Sequence, residues 1–123
     1  MRRTLQLGQA ESELILWRGA AQILAGEVAS SYTKVVVISD ENVHRLFSSE
    51  LFAEHPWLTV PPGEESKSVT FLHALWQKMV DSGLDRRGAV VAVGGGVIGD
   101  LAGFAASTYL RGVDFYALPT SLL

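Results

Sequence analysis

The segment covering residues 89–120 constrains the fold most strongly, because an apolar run leads directly into three consecutive glycines. The run AVVAV is continuous and rich in β-branched side chains, which is typical of a strand covered on both faces in a parallel sheet. Gly94, Gly95 and Gly96 follow, and the lack of a Cβ lets a ligand approach the backbone closely. A helical pattern begins at Val97. The segment therefore predicts a strand, a turn and a helix whose first N–H groups form an anion site.

The predicted helix carries two features that its periodicity does not explain. Gly99 and Gly103 lie four residues apart on one face, and each costs roughly 1 kcal/mol of helix propensity relative to alanine. We therefore expect this face to lie close to the sheet or to a second backbone, or to admit a ligand. Asp100 is expected in the first turn, where the helix dipole stabilises a carboxylate with or without a ligand, so both roles stay open.

Strand and helix signals alternate along the chain, which is typical of a parallel sheet with helices on both faces. The sequence therefore predicts a three-layer α/β fold. Five apolar residues have core spacing in the helix expected from Ser66 to Gly83, namely Leu72, Leu75, Trp76, Met79 and Val80. Predicted strands cover residues 13–17, 34–39, 57–60, 89–93 and 114–118, and the other predicted helices cover residues 20–29, 41–51 and the stretch from 97.

Composition excludes several classes of function. The 123 residues are 48% hydrophobic and 19% charged, which suits one domain with a core, and the net charge of -3 disfavours a nucleic-acid partner. The absence of cysteine rules out disulfides and thiolate metal sites, and the three histidines lack metal-ligand spacing. There is no signal-peptide pattern, so we expect a cytoplasmic protein. Residues 90–110 are long enough to cross a membrane, but consecutive glycines and an internal aspartate disfavour that interpretation.

Four polar loops follow the predicted strands, and the carboxyl ends of parallel strands share the edge at which such sheets bind ligands. Asp40, with Asn42 beside it, is placed to bind a ribose hydroxyl, although it could also simply cap the next helix. Asp114 has suitable spacing from the glycines but begins its strand, at the wrong edge. Arg111 could cap a helix or reach an anion. The loops comprise residues 39–42, 61–67, 94–100 and 119–121.

These motifs together resemble those of the amino-terminal domain of 3-dehydroquinate synthase. The resemblance lies in GGGVIGDLAGFAASTYLRG followed by PTSLL, in PPGEESKS upstream and in SDENV before that, and it covers nearly the whole chain. It implies a Rossmann-like parallel sheet flanked by helices that binds NAD. Enzymes of this family use recycled NAD and a divalent metal, zinc or cobalt, to convert 3-deoxy-D-arabino-heptulosonate 7-phosphate into 3-dehydroquinate and phosphate in the shikimate pathway.

The resemblance also implies which residues contact ligands. Arg111 matches a family arginine that helps to hold the sugar-phosphate substrate, across the contact of a homodimer. The NAD contacts carried over by motif are Asp40, Asn42, Glu64, Lys67, Gly95, Gly96, Val97, Asp100, Thr120 and Ser121.

The family pattern extends beyond Leu123. In the family, PTSLL continues into a segment with an aspartate and a lysine, and a helical second domain binds the metal. Because this chain stops at Leu123, we expect residues 1–123 to form the NAD-binding domain of a longer enzyme, without a metal site or catalysis of their own. Two alternatives stay open: another NAD-dependent sugar-phosphate cyclase of the inosose or valiolone type, or a non-catalytic dimerisation module.

Overall fold

The computed structural model describes residues 2–7, 10–15, 20–63, 65 and 67–120. Within these residues, strands and helices alternate after an initial pair of strands. The strands are β1 (Arg2–Leu7), β2 (Ala10–Ile15), β3 (Val35–Asp40), β4 (Trp57–Val60), β5 (Ala89–Gly94) and β6 (Asp114–Pro119). The helices are α1 (Ala20–Ser31), α2 (Glu41–Phe47), α3 (Val69–Asp81) and α4 (Gly96–Thr108), and a short 3-10 helix covers Tyr109–Arg111.

Four of the strands form a parallel sheet in the order β4-β3-β5-β6. Strand β5 lies between β3 and β6, with Val90 paired to Val36 on one side and to Phe115 on the other. Every residue of β5 is buried, as the continuous apolar run predicted. The predicted parallel α/β fold is therefore confirmed.

The two faces of the sheet contact different helices, because successive side chains of a strand point to opposite faces. Val35 and Val37 of β3 pack on one face with residues of α1 and α2. Val36 and Ile38 pack on the other face with residues of α3 and α4. The molecule therefore has the expected three layers, with a hydrophobic core on each side of the sheet.

The amino-terminal region differs from the predicted alternation. A single strand was expected over residues 13–17, but β1 and β2 form an antiparallel pair that is a separate sheet. The prediction missed β1 because a six-residue strand with mixed polar and apolar residues gives a weak periodic signal. Trp17 lies outside the described residues.

Two helix boundaries also differ from the predicted ones. Helix α2 ends at Phe47 rather than at residue 51, and the following Leu51 and Phe52 are buried in the core. Helix α3 begins after Ser68, whose side chain caps it by accepting a hydrogen bond from the Phe71 N–H. Ser66, where this helix was expected to begin, lies outside the described residues. Leu51 and Phe52 explain the first error, because apolar residues that follow a helix extend its periodic pattern beyond its true end.

The core prediction for α3 is wrong at one of its five positions. Leu72, Leu75 and Met79 are buried, and Trp76 packs against the core while its Nε1 donates to Thr108 Oγ1 at 3.1 Å. Val80 is 62% exposed. It lies one residue beyond Met79, and a step of about 100° around the helix carries it off the buried stripe.

Helix α4 and β5 divide the apolar segment that was long enough to span a membrane. None of the helices in the described part of the chain has the length and apolar character that a membrane crossing requires.

At the far end of α4, the hydroxyl of Tyr109 donates to the Leu84 carbonyl at 2.8 Å and is buried. Arg111 and Gly112 then adopt positive φ values of 68° and 108°, which turn the chain into β6.

We predict that Gly88→Ala destabilises the protein, because a Cβ at residue 88 would lie 2.7 Å from the carbonyl oxygen of Lys34. That oxygen accepts a hydrogen bond from the Ala89 N–H and so cannot move freely. Overpacking of this kind costs about 1–3 kcal/mol, measurable by urea denaturation. In the control, Gly26→Ala, the Cβ meets nothing within 4 Å in α1, so stability should rise by roughly 0.5–1 kcal/mol. Equal effects of the two substitutions would contradict this account.

We also predict a loss of stability at alkaline pH that depends on Tyr32. Its hydroxyl donates to Asp114 Oδ2 at 2.7 Å and lies 2.6 Å from the Tyr116 hydroxyl. Burial, and then these two neighbours, raise the pKa of Tyr32. The folded chain therefore retains a proton that the unfolded chain releases near pH 10, so the free energy of unfolding falls above that pH.

The measurement compares urea denaturation of the wild-type chain and of Tyr32→Phe at pH 8 and at pH 10.5. The variant should lose about 1 kcal/mol at pH 8, from the missing hydrogen bonds, and should show a smaller further loss at pH 10.5. An identical alkaline loss in both proteins would show that Tyr32 does not cause it.

Candidate functional site

The described residues of the four strand-end loops lie together at the carboxyl edge of the sheet. This follows from the parallel pairing of β3 with β4 and of β5 with β3 and β6. The backbone N–H of Thr120 donates to the Gly94 carbonyl at 2.9 Å and ties the end of β6 to the glycine turn. Glu64 and Ser121, which the sequence also predicted as contacts, lie outside the described residues.

The three glycines of the turn have different surroundings. A Cβ at Gly94 would lie 2.9 Å from the Cβ of Ile98, so this glycine lets the turn close onto α4. Gly95 is the N-cap of α4 and has no side chain with which to accept from the first N–H groups. A Cβ at Gly96 or at Gly99 would meet no atom within 4 Å. Open space therefore borders the amino end of α4, where the helix dipole is positive.

The predicted close packing of the α4 glycines holds for only one of them. A Cβ at Gly103 would lie 3.5 Å from the ring of Phe115, in ordinary contact with β6. Gly99 has no such neighbour, because it lies nearer the amino end of the helix, beyond the reach of that ring. The face of α4 is thus packed at Gly103 and open at Gly96 and Gly99.

Asp40 caps α2, which is one of the two roles that the sequence predicted for this residue. Its Oδ1 accepts a hydrogen bond from the Val43 N–H at 2.8 Å. A carboxylate has a second oxygen, so the cap does not prevent a contact with a hydroxyl group. Asn42 is exposed and its Oδ1 accepts from Arg45 at 2.7 Å. Both residues lie at the carboxyl end of β3, beside the glycine turn in the neighbouring strand.

Lys67 and Asp100 are brought together by the fold. Lys67 Nζ lies 2.9 Å from Asp100 Oδ2, and the two side chains are 47% and 63% exposed. Asp100 is not in the first turn of α4 as expected, because the helix begins at Gly96 rather than at Val97. Its carboxylate therefore gains less from the helix dipole, which acts mainly in the first turn, and has Lys67 as a partner instead.

The ion pair borders a groove of about 470 Å³ between the amino-terminal halves of α3 and α4. The residues that line the rest of this groove were not predicted from the sequence as part of a site. Phe104 lies four residues after Asp100 and so on the same face of α4. Only this spacing could have identified Phe104 from the sequence as a lining residue. The additional lining residues are Ser68, Val69, Leu72, Leu101 and Phe104.

Arg111 and Asp114 lie at the opposite edge of the sheet. Arg111 is exposed and follows α4, whose 13 residues span about 20 Å from the glycine turn. Asp114 begins β6, as predicted, and accepts a hydrogen bond from Tyr32. Within one chain, therefore, Arg111 is far from the carboxyl-edge loops. Among the residues that the structure describes, no three His, Asp or Glu side chains are grouped so that they could hold a metal ion.

Comparison of the sequence with known proteins finds relatives among the 3-dehydroquinate synthases. A 3-dehydroquinate synthase of Oceanobacillus iheyensis is 33% identical over 98% of this chain and 35% of its own length. One from Listeria welshimeri is 44% identical over 79% of this chain and 28% of its own length, and one from Rhodopirellula baltica is 46% identical over 74% and 26%. The chain thus spans about a third or less of the length of these relatives.

Solved structures of similar shape include a sugar-phosphate cyclase and a probable dehydrogenase. A crystal structure of 2-deoxy-scyllo-inosose synthase has a TM-score of 0.84 at 25% identity, over 98% of this chain and 36% of that chain. A second crystal structure of that enzyme, with carbaglucose-6-phosphate, NAD+ and Co2+, matches equally well. A probable glycerol dehydrogenase from Sinorhizobium meliloti shares the fold, with a TM-score of 0.64 at 22% identity.

The family itself is shown by a match that covers more than half of the chain. Residues 57–123 fit the family model described as 3-dehydroquinate synthase N-terminal. The matched part includes β4, the Lys67 loop, the glycine turn and β6. The chain belongs to the 3-dehydroquinate synthase family, as its amino-terminal domain.

Proposed function

We propose that this chain is the NAD-binding domain of a 3-dehydroquinate synthase. The observation that carries the proposal is the amino end of α4, where Gly95 provides no side-chain cap and open space borders Gly96 and Gly99. Backbone N–H groups at such a helix end bind phosphate groups. This geometry lies in the part of the chain that fits the family model, and a structural neighbour of this fold was solved with NAD+.

The residues at the carboxyl edge suit the separate parts of a dinucleotide. The N–H groups near Gly96 and Val97 would hold the diphosphate, which needs a backbone without intervening side chains. Asp40, with Asn42, would accept hydrogen bonds from ribose hydroxyls. Glu64, Lys67, Asp100, Thr120 and Ser121 complete the proposed set of NAD contacts, together with Gly95.

The proposed reaction is the conversion of 3-deoxy-D-arabino-heptulosonate 7-phosphate into 3-dehydroquinate and phosphate, in the cytoplasm, by a protein that contains this domain. NAD, when bound, supplies a hydride acceptor that is regenerated within each turnover. The residues of this chain would bind and orient it at the carboxyl edge of the sheet. The described residues do not fit a divalent metal, so a metal in the complete enzyme would need ligands from elsewhere.

The position of Arg111 supports its proposed role in a homodimer. It lies at the edge opposite to the glycine turn, so it cannot reach a substrate beside NAD bound to the same chain. A partner subunit placed with its α4 antiparallel would bring its own arginine towards the site. We propose that Arg111 holds the substrate in this way, and that Arg111→Ala leaves NAD binding unchanged.

One observation favours an alternative function, that of a related cyclase of the inosose type. The fold matches 2-deoxy-scyllo-inosose synthase over 98% of the chain. Sequence identity favours the dehydroquinate synthases, at 33% over the same share of the chain against 25%. Two chimeras can separate the two functions. In one, this chain replaces the matching part of the Oceanobacillus 3-dehydroquinate synthase, and in the other it replaces the matching part of 2-deoxy-scyllo-inosose synthase. Phosphate release by the Oceanobacillus chimera only, with both chimeras folded, supports the proposal; activity of the inosose synthase chimera only would contradict it.

The cofactor role is tested by calorimetric titration of the chain with NAD, after circular dichroism has shown that it is folded. We expect saturable binding with one NAD per chain. A folded chain that binds no NAD, in a titration in which an intact 3-dehydroquinate synthase binds it, would contradict an autonomous cofactor domain.

We predict that Gly96→Val separates NAD binding from stability. A side chain at residue 96 meets no protein atom within 4 Å from its Cβ, so the free energy of unfolding should change by less than about 1 kcal/mol. The same side chain would occupy the space proposed for the diphosphate, so NAD affinity should fall at least about tenfold. Gly26→Val in α1 is the matched control, because its Cβ is equally unobstructed and lies far from the carboxyl edge. Unchanged NAD affinity in Gly96→Val would exclude this location of the diphosphate.

A further inference from the structure

We infer that the exposed face of α4 binds a second copy of this chain, with the two α4 helices antiparallel and the two Phe104 side chains at the two-fold axis. The inference deepens the proposed function and rests on it for the role of Arg111, because it gives the proposed homodimer its contact surface. The observation that carries it is Phe104, a large apolar side chain that is 55% exposed near the middle of the helix.

Phe104 belongs to a continuous exposed face of α4. Most of the exposed residues of this helix are three or four positions apart, which places them on one side of it. They are Gly96, Asp100, Phe104, Ser107 and Thr108. The distance between two packed helices depends on the side chains at the contact, and three of these five are small. A second helix can therefore approach this face closely, with Phe104 as its large apolar contact.

The polar groups of the exposed face already have partners within the chain. Ser107 Oγ and Thr108 Oγ1 both donate to the Phe104 carbonyl, at 2.9 and 2.7 Å. Asp100 Oδ2 lies 2.9 Å from Lys67 Nζ. Groups that are hydrogen-bonded within the protein lose less on leaving water than groups that depend on water. The face therefore suits burial against another protein surface.

The surface beside Phe104 has room for the same side chain of a second copy. Phe104 borders the groove of about 470 Å³ between α3 and α4, whose lining includes the apolar Val69, Leu72 and Leu101. Val69 is 79% exposed, so this apolar groove is open to solvent. A contact across a two-fold axis must be self-complementary, and a surface with both an apolar ring and an apolar groove meets that requirement. Each Phe104 ring would enter the groove of the other copy.

An antiparallel pairing about Phe104 also brings Arg111 to the candidate site of the other copy. Val97 and Arg111 each lie seven residues from Phe104, on opposite sides of it. At about 1.5 Å per residue, Arg111 of one copy lies level with Val97 of the other. The N–H groups near Val97 are those proposed to hold the diphosphate, so a guanidinium there would meet negative charge. The pairing that buries Phe104 thus completes a site that Arg111 cannot reach within its own chain.

Cysteine cross-linking tests this register, since the chain has no cysteine of its own. Asp100 of one copy would lie level with Thr108 of the other, whereas the two copies of either residue would lie about 12 Å apart along the helices. Facing Cα atoms of two packed helices approach to about 4–5 Å, which a disulfide can span. Under oxidation, a mixture of Asp100→Cys and Thr108→Cys should therefore form cross-linked dimers, and neither variant alone should do so.

The control mixture combines Asp100→Cys with Leu46→Cys. Leu46 is an exposed residue of α2, which packs on the other face of the sheet from α4. It measures cross-linking by random collision. If the mixture of Asp100→Cys and Thr108→Cys cross-links no faster than this control, the inference is overturned.

Sedimentation of Phe104→Asp tests the contact itself. Two carboxylates would replace two apolar rings at the axis, so the dissociation constant of the dimer should rise at least about thirtyfold, as at an aromatic hot spot. The fold should persist, because Phe104 is largely exposed, and thermal denaturation checks this. Leu46→Asp is the matched control, since it places the same charge at an apolar residue that is 67% exposed, and it should leave the dimer unchanged. Equal effects of the two substitutions on the dimer would contradict the inference.

Titration with NAD separates failure of the inference from failure of the proposed function. A wild-type chain that binds NAD but stays monomeric across a concentration series overturns the inference and leaves the cofactor role intact. The exposed face of α4 would then be assigned to a contact with the remainder of a longer enzyme. A chain that dimerises in this register but binds no NAD contradicts only the proposed function.

Discussion

The burial of β5 between two parallel neighbours is the constraint on which the rest of the structure depends. All six of its residues are buried, and it hydrogen-bonds to β3 on one side and to β6 on the other. Apolar side chains on both faces of a strand require a helical layer on each side of the sheet. The same strand ends in the glycine turn, so the element at the centre of the core also fixes the position of the amino end of α4.

The glycine turn combines a packing requirement with an open surface. Gly94 is needed because Ile98 occupies the space that a side chain would take, which brings α4 directly onto the end of β5. Gly96 and Gly99 have no such packing reason, since a Cβ there would meet nothing within 4 Å. Glycines that the protein interior does not need, at the positive end of a helix, suit the approach of an anionic ligand. This difference links the fold to the proposed cofactor site.

Local sequence signals were sufficient to predict features that depend on residues close together in the chain. The buried run of β5, the cap of α2 by Asp40 and the three core positions of α3 were all predicted correctly. The errors occur where tertiary packing overrides the local pattern. Val80 continues an apolar spacing but lies beyond the buried stripe, and Leu51 extends a helical pattern although it packs in the core after α2 has ended.

The sequence by itself determined the fold class, the glycine turn and the strand-end loops, because each depends on residues that are neighbours in the chain. Only the tertiary structure decided which distant side chains meet. Lys67 meets Asp100, and Tyr32 meets Asp114, which is 82 residues away, while Arg111 lies at the opposite edge from the other candidate site residues. The physical reason is that such contacts follow from the strand order β4-β3-β5-β6 and from the direction of α4, and local periodicity specifies neither.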